Sequence, residues 1–366
     1  MIMIKVLHVV TDMNRGGLET MIMNYYRHID RNEVQFDFLT HRSYDGDYGE
    51  EIKSLGGTIY HLPKLNPFSA KYRRALGIFF DDHPEYKIIH VHQDCMSSVV
   101  LKIAKKHKLP VRIAHSHSRS QDKNLKYPIK LFYRHFIAKY ATKLFACSEE
   151  AGKWMFCGAE FEVFNNAIET EKFLFNEEKR AQVRSLLGIP EDVIVVGHVG
   201  RFSYPKNHNF LVDIFKCVSE KAKSKLLLVG DGVLRDSIEN KVRSLGLEKD
   251  VIFTGVRDDV NDLLQAMDVF VFPSNYEGLP VTIVEAQASG LQCIISENVP
   301  IECKITDLVS QIRLSNGAET WAEYATEASR CPRENEYESI KESGYDIEEN
   351  AKKLLDYYVN EYRSNE

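Results

Sequence analysis

Val193-Ile194-Val195-Val196-Gly197-His198-Val199, followed without a break by Gly200-Arg201-Phe202, is the stretch that decides the fold. Five of its first seven residues are β-branched, and so continuous an apolar run marks a strand buried on both faces, as strands of parallel sheets are. It stands just after a polar stretch, Glu169 to Arg180, and opens a series of similar runs: Lys225 to Val229, Val251 to Phe253, Val269 to Phe272 and Gln292 to Ile295. Upstream lies an earlier series: Ile4 to Val10, Val34 to Leu39, Thr58 to Leu62, Ile88 to His92, Val111 to Ala114 and Leu144 to Cys147. Longer amphipathic stretches separate the runs. Such alternation predicts parallel strands joined by helices, and its restart predicts two doubly wound α/β domains. A chain of 366 residues is long enough for two cores. Its tail, Asp346 to Tyr362, places Ile347, Ala351, Leu354, Leu355, Tyr358 and Val359 on one broad face and reads as a docking helix.

Hydrophobic residues at 44% and charged residues at 27% exclude fibrous and low-complexity classes. No repeat recurs at a solenoid period. Met1 to Val10 lacks the layout of a signal peptide, and no apolar run reaches spanning length. The seven cysteines are scattered without CxxC spacing, so reduced, mostly buried thiols in a cytoplasmic protein are expected. Net charge is −6, but it divides unevenly. Up to residue 170 there are 24 Lys and Arg against 19 Asp and Glu; beyond it, 23 against 34. No nucleic-acid partner is expected. Lys102 to Lys143 holds twelve basic residues and one acid, Asp122, interleaved with Tyr127, Phe132, Tyr133, Phe136 and Tyr140. That segment suits an anionic membrane surface; the alternative is a solvated helix face whose aromatics point into the core.

In doubly wound sheets ligands bind beyond the carboxyl ends of the strands, so the following loops are the candidates for chemistry. After the first strand comes Asn14-Arg15-Gly16-Gly17-Leu18-Glu19-Thr20, a glycine pair opening a helix where free N–H groups can meet a ligand. Gly230-Asp231-Gly232 is a second strand-to-helix turn, but Arg235 replaces the third glycine of a dinucleotide fingerprint. Either reads equally as a plain tight turn. Gly200-Arg201-Phe202 with Pro205-Lys206-Asn207 sets two cations beyond one strand end, where guanidinium and ammonium complement different oxygens of a diphosphate. Two solvated surface cations are the plainer reading. Glu277-Gly278-Leu279-Pro280-Val281, with Glu285 eight residues beyond Glu277, predicts a helix starting near Pro280 with Glu285 in its first turn or two. Glu285 could then accept from ribose hydroxyls, and the free N–H groups from Leu279 to Thr282 could face phosphate or sugar oxygens. A capping Glu and a chance acid remain the alternative. His115-Ser116-His117-Ser118 directly follows the strand Val111 to Ala114 and could donate to a sugar hydroxyl or a leaving oxygen. A structural role is the alternative; a metal site lacks an evident third ligand.

Together these pieces resemble the retaining GT-B glycosyltransferases that build bacterial capsule, exopolysaccharide and O-antigen chains. The resemblance covers nearly the whole chain. It rests on Gly16 to Thr20, His115 to His117, Cys147-Ser148-Glu149, Asn165-Asn166-Ala167-Ile168, Gly200 to Phe202 with Lys206-Asn207, Gly230 to Gly232, Phe253-Thr254-Gly255, and the E-x7-E pair Glu277 and Glu285, in the expected order. It implies two Rossmann-like domains facing a central cleft: residues 1–170 for the acceptor, completed by a terminal helix at 346–364, and 171–345 for the donor.

By the same resemblance Arg201 and Lys206 hold the donor diphosphate, and Glu285 bonds the ribose. Glu277, Gly278, Leu279, Pro280 and Val281 contact donor sugar and phosphate, Gly255 lies in the donor site, and Gly16 and Gly17 approach from the other domain. His115 or His117 lies near the donor sugar, and no metal or other cofactor is needed. The implied reaction moves a hexose or N-acetylhexosamine from a nucleotide sugar, UDP-linked first and GDP-linked second, to a lipid-linked saccharide at the inner membrane face. No acceptor-side carboxylate stands out as a nucleophile, which favours same-face substitution over double displacement. Acceptor recognition would fall to loops such as Ser43 to Glu50 and Ser118 to Tyr127. A UDP-sugar epimerase and a non-catalytic nucleotide-sugar-binding partner are the rival readings.

Overall fold

A computed structural model of the chain describes residues 3–118 and 125–365. It divides into two compact units, Met1–Ala167 with Ile347–Glu366 and Ile168–Asp346. In the first unit β1 (Ile4–Val9), β2 (Val34–Thr40), β3 (Ile59–His61), β4 (Ile88–Val91), β5 (Val111–Ser116), β6 (Lys143–Ala146) and β7 (Glu162–Val163) form one parallel sheet in the order 3-2-1-4-5-6-7. In the second, β8 (Ile194–Val199), β9 (Ser224–Val229), β10 (Val251–Gly255), β11 (Val269–Phe272), β12 (Gln292–Ser296) and β13 (Val309–Ile312) are likewise parallel, in the order 10-9-8-11-12-13. Both orders run outward from a first strand at the middle and then reverse. The reversal falls between β1 and β4 and between β8 and β11, and at such a switch point successive crossovers leave in opposite directions and open a crevice.

Two strands escaped the sequence reading, for a physical reason. β7 is two exposed residues and β13 reads Val-Ser-Gln-Ile, an edge strand with two polar residues at its centre rather than a continuous apolar run. β5 extends to Ser116, so His115 stands inside the strand rather than after it.

Alternate residues of each central strand serve opposite faces. In the first unit Val6, Phe36, Phe38, Ile88 and Ile113 meet the helices Gly17–His28 and Ile347–Arg363 in one core. The terminal helix brings Ile347, Ala351, Leu354, Tyr358 and Val359 into it. In the second, Val196, Leu226, Leu228, Val269 and Ile294 pack under the helices His208–Lys221 and Gly317–Ala328, with Trp321 fully buried. All seven cysteines are free thiols; Cys95, Cys147, Cys293 and Cys303 are buried, Cys217 is half-buried, and Cys157 and Cys331 are exposed.

An ionic knot secures the back of the second sheet. Asp268, just before β11, takes Arg180 Nη2 at 2.5 Å and Arg184 Nη1 at 3.2 Å, and accepts the Val195 N–H at 2.7 Å. Arg184 is 3% exposed, so removing Asp268 strands a buried guanidinium. We expect Asp268→Ala to cost about 3 kcal/mol or more, read as a lower urea midpoint at pH 7.

Candidate functional site

The crevice of the second unit is built from glycine turns and one ion pair. Gly230 follows β9 with φ +133°, and a Cβ there would collide with the Gly200 carbonyl oxygen. The Phe202 N–H donates to the Asp231 carbonyl at 3.0 Å, and the Gly230 N–H donates to that of Gly255 at 2.8 Å. The turns after β8, β9 and β10 are thus pressed backbone to backbone, which explains the glycine at 230 better than a plain tight turn does. Asn207 at φ +53° ends the next loop; its side-chain amide donates to the Pro273 carbonyl at 3.0 Å. Asn275 answers across the same gap, donating its N–H to Pro205 and its side-chain amide to Tyr204.

These ties set the predicted residues. Lys206 Nζ lies 2.9 Å from Glu277 Oε1 as an ion pair and 4.5 Å from the centre of the Phe272 ring. Arg201 is exposed and has no carboxylate partner among the described residues. Gly278, Leu279 and Pro280 lead into the helix Val281–Ala288, for which Pro280 is the N-cap residue rather than part of the first turn. Thr282 Oγ1, at this helix start, is buried and has no partner among the described residues. Glu285 is buried on that helix, and burial pushes its carboxyl from 4.5 up to about 7. The sequence reading missed His198 and His208, stacked edge to face at 4.7 Å beside this loop. Both are buried, and burial holds them neutral.

In the first unit Gly16 is the N-cap of the helix Gly17–His28, and the space beside Gly17 is open. A Cβ at Gly16 would strike the Glu19 carboxylate, so that acid shares the helix start with any incoming anion. His115 and His117 belong to a group of five histidines. His8 on β1 pairs in register with His90 on β4, and His90, His92, His115 and His117 follow at period two on adjacent strands, which turns them all to one face.

The rings form two files. In one, the Tyr358 hydroxyl is 2.7 Å from His90 Nδ1, and His90 Nε2 is 3.2 Å from His115 Nδ1. In the other, His8 Nδ1 is 3.1 Å from His92 Nε2, and His92 Nδ1 is 2.9 Å from His117 Nε2. Ring centres along the files stand 5.2, 5.4 and 5.1 Å apart, about what two imidazoles span when joined nitrogen to nitrogen in line. Between the files His90 stacks on His92 at 4.4 Å, and the tilted rings of His115 and His117 stand 4.2 Å apart. Burial lowers the pKa of all five, His8 and His117 to about 3, so they stand neutral at pH 7.

The expectation that a third metal ligand is lacking is corrected here. His8, His90 and His92, and again His92, His115 and His117, bring nitrogen atoms within 4.8 Å of one another. Yet each short nitrogen pair is aligned as N–H···N, with lone pairs aimed at a neighbour's proton rather than at one shared point. The signal was present in the sequence as two H-x-H pairs at strand ends; what it could not supply was the register joining them to His8.

A further feature of the first unit is a cavity of about 960 Å³ bordered by the helices Ala70–Asp82, Ser97–Lys106 and Tyr127–Arg134. Arg73, Arg74, Lys102 and Lys106 meet Phe132 and Phe136 there. The helix Tyr127–Arg134 has no buried residue, and Phe132 is 60% exposed. The reading that turns these aromatics into the core therefore fails for this helix. Residues 119–124 of the loop Ser118 to Tyr127, Asp122 included, lie outside the described residues.

Comparison with known proteins assigns both units. Residues 15–172 match the family described as glycosyltransferase family 4, and residues 179–347 that described as glycosyl transferases group 1. EpsF of Bacillus subtilis, named as a glycosyltransferase, is 38% identical over 97% of this chain and 96% of its own. The chain belongs to the group 1 glycosyltransferases. A UDP-Gal:α-D-GlcNAc-diphosphoundecaprenol α-1,3-galactosyltransferase of Escherichia coli is 29% identical over 58% of each chain. Among solved structures, Anabaena HepE in complex with UDP and glucose matches this glycosyltransferase with a TM-score of 0.74 over 99% of this chain and 98% of that one, at 17% identity. Its two Rossmann-like units are of the GT-B kind.

Glu285 supplies a test that needs no ligand. Its folded state holds a proton up to about pH 7 and its unfolded state only to about 4.5, so its burial costs stability as pH rises between these values. Glu285→Gln should gain on the native chain across that window, by up to about 3 kcal/mol, and no further above it. Thermal melts at pH 5 and pH 8 measure the difference.

Proposed function

We propose that this glycosyltransferase moves a hexose or N-acetylhexosamine from a UDP-sugar to a lipid-linked saccharide in surface-polysaccharide synthesis, with retention of anomeric configuration. The observation that carries the donor half is the loop after β8, where Arg201 has no carboxylate partner among the described residues and Lys206 is held against Glu277. These cations neutralise charge on the departing UDP. Glu285, once ionised, accepts from the ribose hydroxyls, and Glu277 with the backbone of Gly278, Leu279, Pro280 and Val281 takes the sugar and phosphate. Gly16, Gly17 and Gly255 allow close backbone approach to the donor, and His115 and His117 donate to sugar or leaving oxygens.

In the step itself the bond from the anomeric carbon to phosphate oxygen breaks and its electron pair stays on UDP. The acceptor hydroxyl attacks the same face, and its proton passes to the leaving phosphate oxygen. No metal is required in this reading, since the cations of the β8 loop meet the developing charge. The UDP in the HepE complex and the UDP-Gal in the name of the Escherichia coli relative support UDP as the carrier.

The acceptor half rests on the cationic, aromatic cavity of the first unit and on the diphosphoundecaprenol acceptor in that relative's name. Among the described residues no helix is long and apolar enough to cross a membrane. In this reading the helix Tyr127–Arg134 lies on the cytoplasmic membrane face, its Lys130 and Arg134 toward anionic headgroups and Phe132 in the acyl boundary.

A thermal-shift screen against UDP, GDP, ADP and their sugar conjugates tests the donor site. A UDP ligand at a hundredfold excess over its Kd should stabilise the native chain by about 2.7 kcal/mol, and Arg201→Ala should abolish the shift. Silence with every nucleotide would favour the non-catalytic reading, and a donor isomerised at unchanged mass without acceptor would favour the epimerase. Sedimentation with anionic vesicles should be strong at low salt and lost at high salt, and weaker for Phe132→Asp; equal binding at both salts would overturn the membrane reading.

A further inference from the structure

The file Tyr358–His90–His115 has a direction that hydrogen-bond counting fixes. Tyr358 is fully buried, and burial keeps its phenol protonated. Its hydroxyl meets His90 Nδ1. If Tyr358 donates, His90 Nδ1 accepts, His90 carries its proton on Nε2 and donates it to His115 Nδ1, and His115 carries its own on Nε2. A single group is then left over: the His115 Nε2–H, which is buried and has no partner among the described residues. Reversing the file strands two groups instead, the Tyr358 O–H and a bare His115 Nε2 lone pair. A buried polar group left unmade is costly, so the first arrangement wins. The second file has no such lock. His8 Nε2 and His117 Nδ1 are both ends without a partner among the described residues, and the proton order of that file can run either way.

We propose that Tyr358, on the terminal helix, is a positioning residue for the transfer reaction: acting through His90, it holds His115 in the Nε2–H form, a neutral hydrogen-bond donor for an oxygen of the donor sugar or its leaving phosphate. The proposal rests on the glycosyltransferase reading above for the oxygen that His115 meets, but the tautomer itself does not. The lock needs the helix Ile347–Arg363 in place, since the phenol comes from a segment far along the chain from His90 and His115. It also separates the two adjacent histidines. His115 is a fixed donor, while His117, in the unlocked file, can donate or accept.

The test uses the full chain labelled with 15N-histidine. Two-bond proton–nitrogen correlations at pH 7 distinguish the Nδ1–H from the Nε2–H form, with His90→Gln and His115→Gln assigning the two signals. The native protein should show both His90 and His115 as Nε2–H, and Tyr358→Phe should give both a mixture of forms. An Nδ1–H form of His115 in the native chain, or tautomers that Tyr358→Phe leaves untouched, would overturn the proposal. The native spectrum decides even where the variant fails to fold.

With a UDP-sugar donor, Tyr358→Phe should lower kcat roughly tenfold or more while leaving the donor KM within about twofold. An unchanged kcat would reduce Tyr358 to a packing role and sink the positioning claim. Failure of the native chain to turn over any nucleotide sugar would count against the glycosyltransferase reading, and the spectrum would still report the lock.

Discussion

Every parallel strand in this protein needs a crossover to reach the next, and the two sheets both begin at the middle, with β1 and β8. From there the chain winds one way, returns, and winds the other. The backbone hydrogen bonds of the ladder demand this route, because parallel neighbours cannot be joined by a tight turn. Helices end up on both faces, the strands become continuously apolar, and the carboxyl ends of β1, β4, β8 and β11 are left as the places where polar residues can gather without a covering helix. The five histidines gather at β1, β4 and β5; Arg201, Lys206 and Glu277 gather beyond β8 and β11.

The two gatherings solve the problem of buried polarity differently. In the second unit charge is kept, but paired: Lys206 against Glu277, and Asp268 between Arg180 and Arg184. An unpaired ion so placed would cost several kcal/mol. Glu285 lies buried on its helix, and burial moves its carboxyl toward neutrality. In the first unit charge is given up. Five imidazoles stay neutral and satisfy one another through N–H···N contacts, which turns a cluster of titratable groups into an ordered array of donors and acceptors. Such an array has direction, and a single hydroxyl at one end can set it.

The cationic, aromatic cavity obeys a third rule. Its helix Tyr127–Arg134 buries nothing in the core, so its stability leans on contacts beside the short 3-10 turn Asp94–Met96 and the helix Ser97–Lys106. Lys102, Lys105 and Lys139 each place Nζ 6.0 Å from the centre of the Tyr140 ring.

The sequence by itself determined the fold class, because continuous β-branched runs have no other stable use than strands covered on both sides. It also determined the loop of Arg201 and Lys206, the helix that carries Glu285 and the terminal docking helix, since each follows from local spacing. Only the tertiary structure decided which residues stand together. That Lys206 pairs with Glu277 rather than standing free depends on β8 lying beside β11, a pairing set by crossovers. That His8 and Tyr358 join His90 and His115 depends on strand register and on a helix from the far end of the chain. Local sequence encodes periodicity and turn chemistry within a few residues; contacts across hundreds of residues arise from the packing of finished elements, and the contact of Tyr358 with the His90–His115 file belongs to that second kind.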